Sequence, residues 1–366
     1  MLVSLAVFLF FTELAQAAEK ENILTEKIFS AAIVKIKEEK LTTMPEGDIV
    51  KQQNLEIRGI DGDYKDKTLE INGIGDPNGT NKNIYEVGDK VSIEASFDES
   101  GAVKFYITDY IRTGGLKWLA IIFIFSLLII GRWKGVRSLV SLFITFFVMM
   151  KYIIPKIMDG ADPIITTIIG SFIILLAIIY ITDGFKKNSH IAAISISISL
   201  LSTVVISWIF VEATKLSGLA NEEASFLVGQ QNINITNFKG LLLAGIIIGA
   251  LGVLDDVVLS QITAVQEIKA AGRNIKGLEL FKRAYNVGIA HISSMTNTLF
   301  LAYAGASLPL LILFTSGKSS FSSYSQALNN ELLATEIVRT LAGSIGLILA
   351  VPISTLLAVW WYNKER

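Results

Sequence analysis

Residues 240–267 read GLLLAGIIIGALGVLDDVVLSQITAVQE. The run is long and apolar enough to cross a bilayer, which takes about 20 residues of helix. Yet it carries two adjacent acids, Asp255 and Asp256, followed by Gln261 and Glu267. An acid at mid-membrane costs about 2.5–3.5 kcal/mol on insertion scales, so the pair needs a partner, a water-filled cavity or a place near the boundary. At a rise of about 1.5 Å per residue the acids stand roughly 22–24 Å along the helix, past its middle. Neighbouring side chains diverge by about 100°, so one acid faces a helix partner and the other a cavity or the interface. Gly245, Gly249 and Gly252, spaced by four and three, form a small-residue stripe that admits another helix at close range. Two readings follow: a helix presenting carboxylates to an ion or proton path, or a packing helix whose acids mark its cytoplasmic end.

Composition widens this to the whole chain. Of 366 residues, 52% are hydrophobic, and mean hydropathy is +0.54, values of a multi-spanning membrane protein rather than of one soluble core. A net charge of −1 lacks the basic footprint of a nucleic-acid binder. With no cysteine, disulfides and thiolate chemistry are excluded, and with only His190 and His291 a histidine-rich zinc site is excluded too. The chain has no Walker loop, nucleophile elbow or HExxH. No catalytic residue, metal site or cofactor is assigned.

Upstream, residues 1–17 carry a short apolar core and an Ala15-Gln16-Ala17 pattern, which reads as a signal peptide or N-terminal anchor. Residues 18–113 are polar, with alternating runs FSAAIVKIKEE, NLEIRGI, KTLEING, DKVSIEASF and VKFYITDY separated by Gly, Asn, Asp and Pro turns. Five short strands in this length predict a small extracytoplasmic β-barrel of the OB type. Its aromatics, Tyr64, Tyr85, Phe97, Phe105, Tyr106 and Tyr110, read as core before they read as a ligand-stacking surface.

Residues 114–366 form the membrane domain, with apolar runs at 116–131, 138–154, 163–182, 191–210, 240–260, 289–314 and 340–361, about seven transmembrane helices in all. The sixth is overlong and holds Gly305 and Pro309, which predicts a break. Basic residues gather after spans one, three, five and seven (Arg132, Lys134, Arg137; Lys186, Lys187; Lys269, Arg273, Lys276; Lys364, Arg366), whereas Asp159, Asp162, Glu212, Glu222 and Glu223 mark the alternate loops. The positive-inside rule then puts the β-domain outside and the C-terminus in the cytoplasm of a cell-membrane protein. In span six, His291, Ser294, Asn297 and Thr298 share a helical face, at about the depth of the span-five acids. Ser195, Ser197 and Ser199 in span four read as helix glue.

The stretches GIIIGALGVLDDVVLSQITAVQEI, HISSMTNTLFLAYAGASLPLLILF and EIVRTLAGSIGLILAVPISTLLAV, with the YxxGDxV run from Tyr85 to Val91, resemble the YibE/YibF-like family of bacterial multi-pass membrane proteins. In that family's pattern an aspartate follows the G-A-x-G run, and Asp256 matches it. Asp255 stands where other members often carry an apolar residue. The resemblance implies a fold and a membrane location more than an activity. From the residues, the leading expectation is a permease for a small ion or solute, with Asp255, Asp256, His291, Ser294 and Asn297 as binding candidates. The alternative is an anchored interaction or sensory module whose β-domain binds a ligand or partner. An intramembrane aspartic enzyme ranks below both, because adjacent acids on one helix diverge too far to share a proton. The expected partners are the bilayer and a small ion or solute, and the glycine stripe allows a homo-oligomer.

Overall fold

The structure is a computed structural model and describes residues 27–43, 49–74, 84–97, 103–230, 233–272, 274–275, 277–315 and 324–364. The signal-peptide reading of residues 1–17 lies outside them. The chain divides into two compact units, Met1–Ile129 and Ile130–Arg366.

In the first unit five antiparallel strands form one sheet, in the order β3-β2-β1-β4-β5. They are β1 (Lys27–Thr43), β2 (Ile49–Gly59), β3 (Thr68–Asn72), β4 (Lys90–Phe97) and β5 (Val103–Tyr110), matching the five alternating runs. The first half of β1 pairs with β4, and its register against β2 shifts at Ile33/Lys35 and Ile36/Glu38, where bulges bend the strand. Period-two alternation sends Ala31, Ile33, Leu55, Ile57, Val91 and Ile93 into one buried layer. Phe29 packs on Tyr64 and Phe105, and Tyr85 on Tyr110, so these aromatics are core. β3 and β5 approach one another, but among the described residues no hydrogen-bonded ladder joins them.

The YxxGDxV run has a physical account in this unit. The buried Gln53 side chain clamps Tyr85, donating to its carbonyl at 3.1 Å and accepting from its N–H at 2.8 Å. Gly88 has φ +100, which glycine adopts without strain, and its N–H reaches the Ile33 carbonyl at 2.8 Å. The Asp89 carboxylate accepts from the Glu86 N–H at 2.8 Å, closing the turn before Val91 enters the core.

From Thr113 onward, across the boundary at Ile129 and through the second unit, the chain is helical. α1 (Thr113–Val148) continues through a π turn (Met149–Ile153) into α2 (Ile154–Met158), but is interrupted at Arg132, where φ is 47 and ψ −129. The π turn sits just ahead of Pro155, whose ring and missing N–H do not fit a regular ladder. α3 (Pro163–Thr182) starts with Pro163 at its first position and Asp162 as cap, accepting from Ile165 N–H at 2.9 Å. α4 (Lys187–Ala213), the short α5 (Glu222–Phe226), α6 (Phe238–Ala271), α7 (Gly277–Ala306), α8 (Leu308–Thr315), the short α9 (Tyr324–Leu328) and α10 (Glu331–Lys364) complete it. α6 is capped by Gly272 and α7 begins at Gly277.

Five helical elements are long and apolar enough to cross a membrane, or up to six when the bent pair α7–α8 counts as one span. The count of seven is reached only by also dividing the first element at Arg132. α6 and α10 are the most buried of these, 56% and 61% of their apolar windows, and form the centre. Rows of isoleucine and leucine face outward instead, among them Ile165, Ile169, Ile173 and Leu176 on α3 and Ile194, Ile198 and Leu201 on α4. Such surfaces are stable against hydrocarbon, and the chain is a membrane protein.

The hydroxyls of α4 are helix contacts. Ser195, Ser199, Thr203 and Ser207 recur every four residues and are fully buried, and Ser199 and Thr203 donate to carbonyls one turn back. Gly346 of α10 lies so close to Thr203 that a Cβ there would overlap it. Small residues on both sides allow this approach, as expected for helices packing without a hydrophobic drive between them.

Candidate functional site

The site is built on α6. Asn237 caps the helix by accepting from Gly240 N–H at 2.8 Å. Near the other end the buried Gln261 amide donates to the Ala284 carbonyl of α7 at 2.9 Å and to the Thr355 hydroxyl of α10 at 2.8 Å. One side chain thus ties three helices together, and with no water available inside, those bonds fix their register. A turn beyond, Asn188 of α4 bonds Gln266 of α6 at 2.5 Å and accepts from the Tyr362 hydroxyl of α10.

Between these ties and the other end, α6 runs antiparallel to α7. Gln261 lies against Gly288, and Gly249 lies beneath the Tyr303 hydroxyl, which a Cβ on Gly249 would approach to 2.8 Å. Asp255 and Asp256 therefore stand level with the part of α7 between Gly288 and Tyr303, which holds His291, Ser294 and Asn297. The common depth expected from the sequence is present.

The azimuth is different from a direct pairing. α7 packs inward through Leu280, Ala284, Gly288, Ile292 and Met295, and its opposite face exposes Ser293, Ser294, Asn297 and Thr298. On α6, Asp255 is half-buried and Asp256 exposed. Among the described residues no hydrogen bond joins either acid to His291 or Asn297. Gly245, Gly252, Asp256, Ser260, Thr263 and Glu267 recur at seven, four, four, three and four residues and are all exposed. They form a small and polar row down the outer side of α6, and the exposed serines and Asn297 form a second polar face on α7. Of the glycine stripe, only Gly249 has a neighbour where a Cβ would stand; Gly245 and Gly252 face open space.

A second charged group was not singled out from sequence. The span-six break is real: α7 and α8 meet at 70° across Ser307, one residue before α8 and two before Pro309. Ser307 donates to Glu336 of α10 at 3.3 Å, and Glu336 pairs with Arg339 at 3.4 Å. Their side chains are only 17% and 26% exposed, the most enclosed ion pair among the described residues. The signal that would have found it is an i, i+3 acid–base pair just ahead of an apolar run. No group of three or more His, Asp or Glu able to hold a metal occurs among the described residues.

Comparison with curated proteins and with solved structures returns no match. A family model does match: that of the YibE/F-like protein family, over residues 119–364, which takes in α6, α7, α8 and α10. The match covers more than half of the chain, and the chain belongs to the YibE/F-like protein family.

Proposed function

We propose that this protein is a permease for a small ion or solute, and that the exposed polar row of α6 and α7 borders its path. One observation carries the reading: Asp256, Ser260, Ser294, Asn297 and Thr298 are all exposed on adjacent helices at a common level of a membrane-length bundle. Ser260 and Thr298 donate to carbonyls one turn back, so the cost of facing hydrocarbon falls on Asp256, Ser294 and Asn297, and water or a solute would satisfy these. A broken helix belongs to the repertoire of transporters. In this reading the bundle has seven spans in a cell membrane, with the β unit outside, closed as an OB-like barrel through β3 and β5, and the C-terminus in the cytoplasm.

The test is thermal stability of the detergent-purified chain across mono- and divalent cations and pH, for wild type and Asp256→Asn. A ligand of the folded state raises stability as RT ln(1 + [L]/Kd), about 2.7 kcal/mol at a hundredfold excess over Kd. Cation- or pH-dependent stabilisation that disappears in the variant is the expected result. Equal behaviour of both proteins in every condition would assign Asp256 to packing or a boundary instead. The β unit has its own core, which keeps open a reading as a ligand- or partner-binding module. Deleting the β unit separates the two, since flux in proteoliposomes survives in the permease and no flux exists to lose in the module.

A further inference from the structure

A cavity of about 220 Å3 lies at the end of the helical unit where α6 and α10 begin. Its walls are the segment around α5, with Leu227 and Glu223, the first turn of α6, with Leu241 and Leu242, and the first turns of α10, with Thr335 and Arg339. The turn at Gly218, φ +79, lies so close to Phe238 that a Cβ would overlap its carbonyl, which holds this wall against α6. Thr335 and Arg339 are one helical turn apart, so both present the same face of α10 to the cavity.

Two donors there lack acceptors. Thr335 is 3% exposed and its hydroxyl has no hydrogen-bond partner; the Arg339 Nε is buried and equally without one. Arg339 meets Glu336 only through its terminal nitrogen, at 3.4 Å. Burying a donor without an acceptor is unfavourable, so an acceptor at this wall is favoured. Charge decides what carries it. Acids outnumber basic groups locally: Glu336 pairs with Arg339, Lys239 on the first turn of α6 is paired with Glu212, Glu331 is held by Ser217 N–H and hydroxyl, and Glu223 is exposed at the rim. A bare anion meets net negative charge, whereas a zwitterion places its carboxylate on the donors and its cation toward Glu223. The volume, below the roughly 300–1,000 Å3 of drug-sized pockets, suits a small metabolite. Leu227, Leu241 and Leu242 give it an apolar wall.

We propose that this cavity binds a zwitterion of amino-acid size with a small apolar side chain, its carboxylate held by Thr335 and Arg339 and its ammonium directed to Glu223. The proposal rests on the cavity alone and stands independently of the permease reading. It is tested by thermal shift and calorimetry on the detergent-purified full chain with leucine, alanine, isovalerate as carboxylate without ammonium, and isoamylamine as ammonium without carboxylate. Leucine or alanine is expected to stabilise the protein, with the two half-ligands at least tenfold weaker. Thr335→Val, which keeps the side chain's shape, is expected to weaken the zwitterion about ten- to hundredfold, the loss of one hydrogen bond to a charged group. Glu223→Gln, at an exposed position, should weaken leucine while leaving isovalerate unchanged. No stabilisation by either amino acid at millimolar concentration overturns the proposal. So does isovalerate binding as tightly as leucine, or wild-type affinity in both variants.

Discussion

At the scale of single residues, the side chain with most structural consequence is Gln261, because its amide serves α7 and α10 at once. Gln261→Leu keeps roughly the same size and removes both bonds, leaving the Ala284 carbonyl and the Thr355 hydroxyl only their partners within their own helices. The expected result is a loss of about 1–3 kcal/mol, read as a lower melting temperature in detergent. Gly346→Leu should cost a similar amount, about 1–3 kcal/mol, by forcing α10 away from Thr203. In contrast Gly252→Ala, where a Cβ meets open space, should leave stability within about 0.5 kcal/mol of wild type. Asp109 gives a prediction in pH. Its hydrogen bond from Arg112, joined by that from the Tyr110 N–H, holds the carboxyl below its ordinary 3.8. A depressed carboxyl contributes stability above its unfolded pKa and loses it as pH falls through the folded value. An NMR titration should therefore place Asp109 below 3.8 in the wild type and closer to 3.8 in Arg112→Ala.

At the scale of elements, some features were legible in the sequence for clear reasons. The strands were, because each alternates apolar and polar residues between turn signals, and a strand buried on one face has to. α6 was, because few soluble helices are apolar for so long. The break between α7 and α8 was, because Pro309 cannot continue a ladder without a cost that Gly305 and Ser307 help avoid. What the sequence could not supply is azimuth. Almost every face of α6 is small or apolar, so periodicity does not say which face turns inward, and the inward face is set by Gln261 and Leu254 meeting particular partners. That is why the polar row of α7 could be placed at the right level yet not on the right side. Glu336 and Arg339 escaped notice because they precede the apolar run of α10, and only the bend at Ser307 gives them an enclosed setting. Glu336→Gln removes the partner of a largely buried guanidinium and is expected to destabilise the folded chain by up to about 3–5 kcal/mol. Replacing both residues, Glu336→Gln with Arg339→Met, should recover much of that loss in a melting experiment.

At the scale of the whole molecule, two compact units with separate cores are joined through a helix interrupted at Arg132. The family match begins at residue 119 and so takes in the helical unit, not the sheet. In the proposed reading the transport path is confined to the helices and the β unit has a separate task. The central claim is that the exposed row of α6 and α7 borders water rather than lipid. The chain contains no cysteine, so single cysteines can be read without background. The decisive measurement is labelling of Ser294→Cys and Asn297→Cys, in membranes, by a membrane-impermeant maleimide, with the outward-facing Ile198→Cys of α4 as the lipid control. The account predicts that the first two label and the control does not. If Ser294→Cys and Asn297→Cys stay as unreactive as Ile198→Cys while a lipid-soluble maleimide modifies all three, the row faces hydrocarbon and the path is not there.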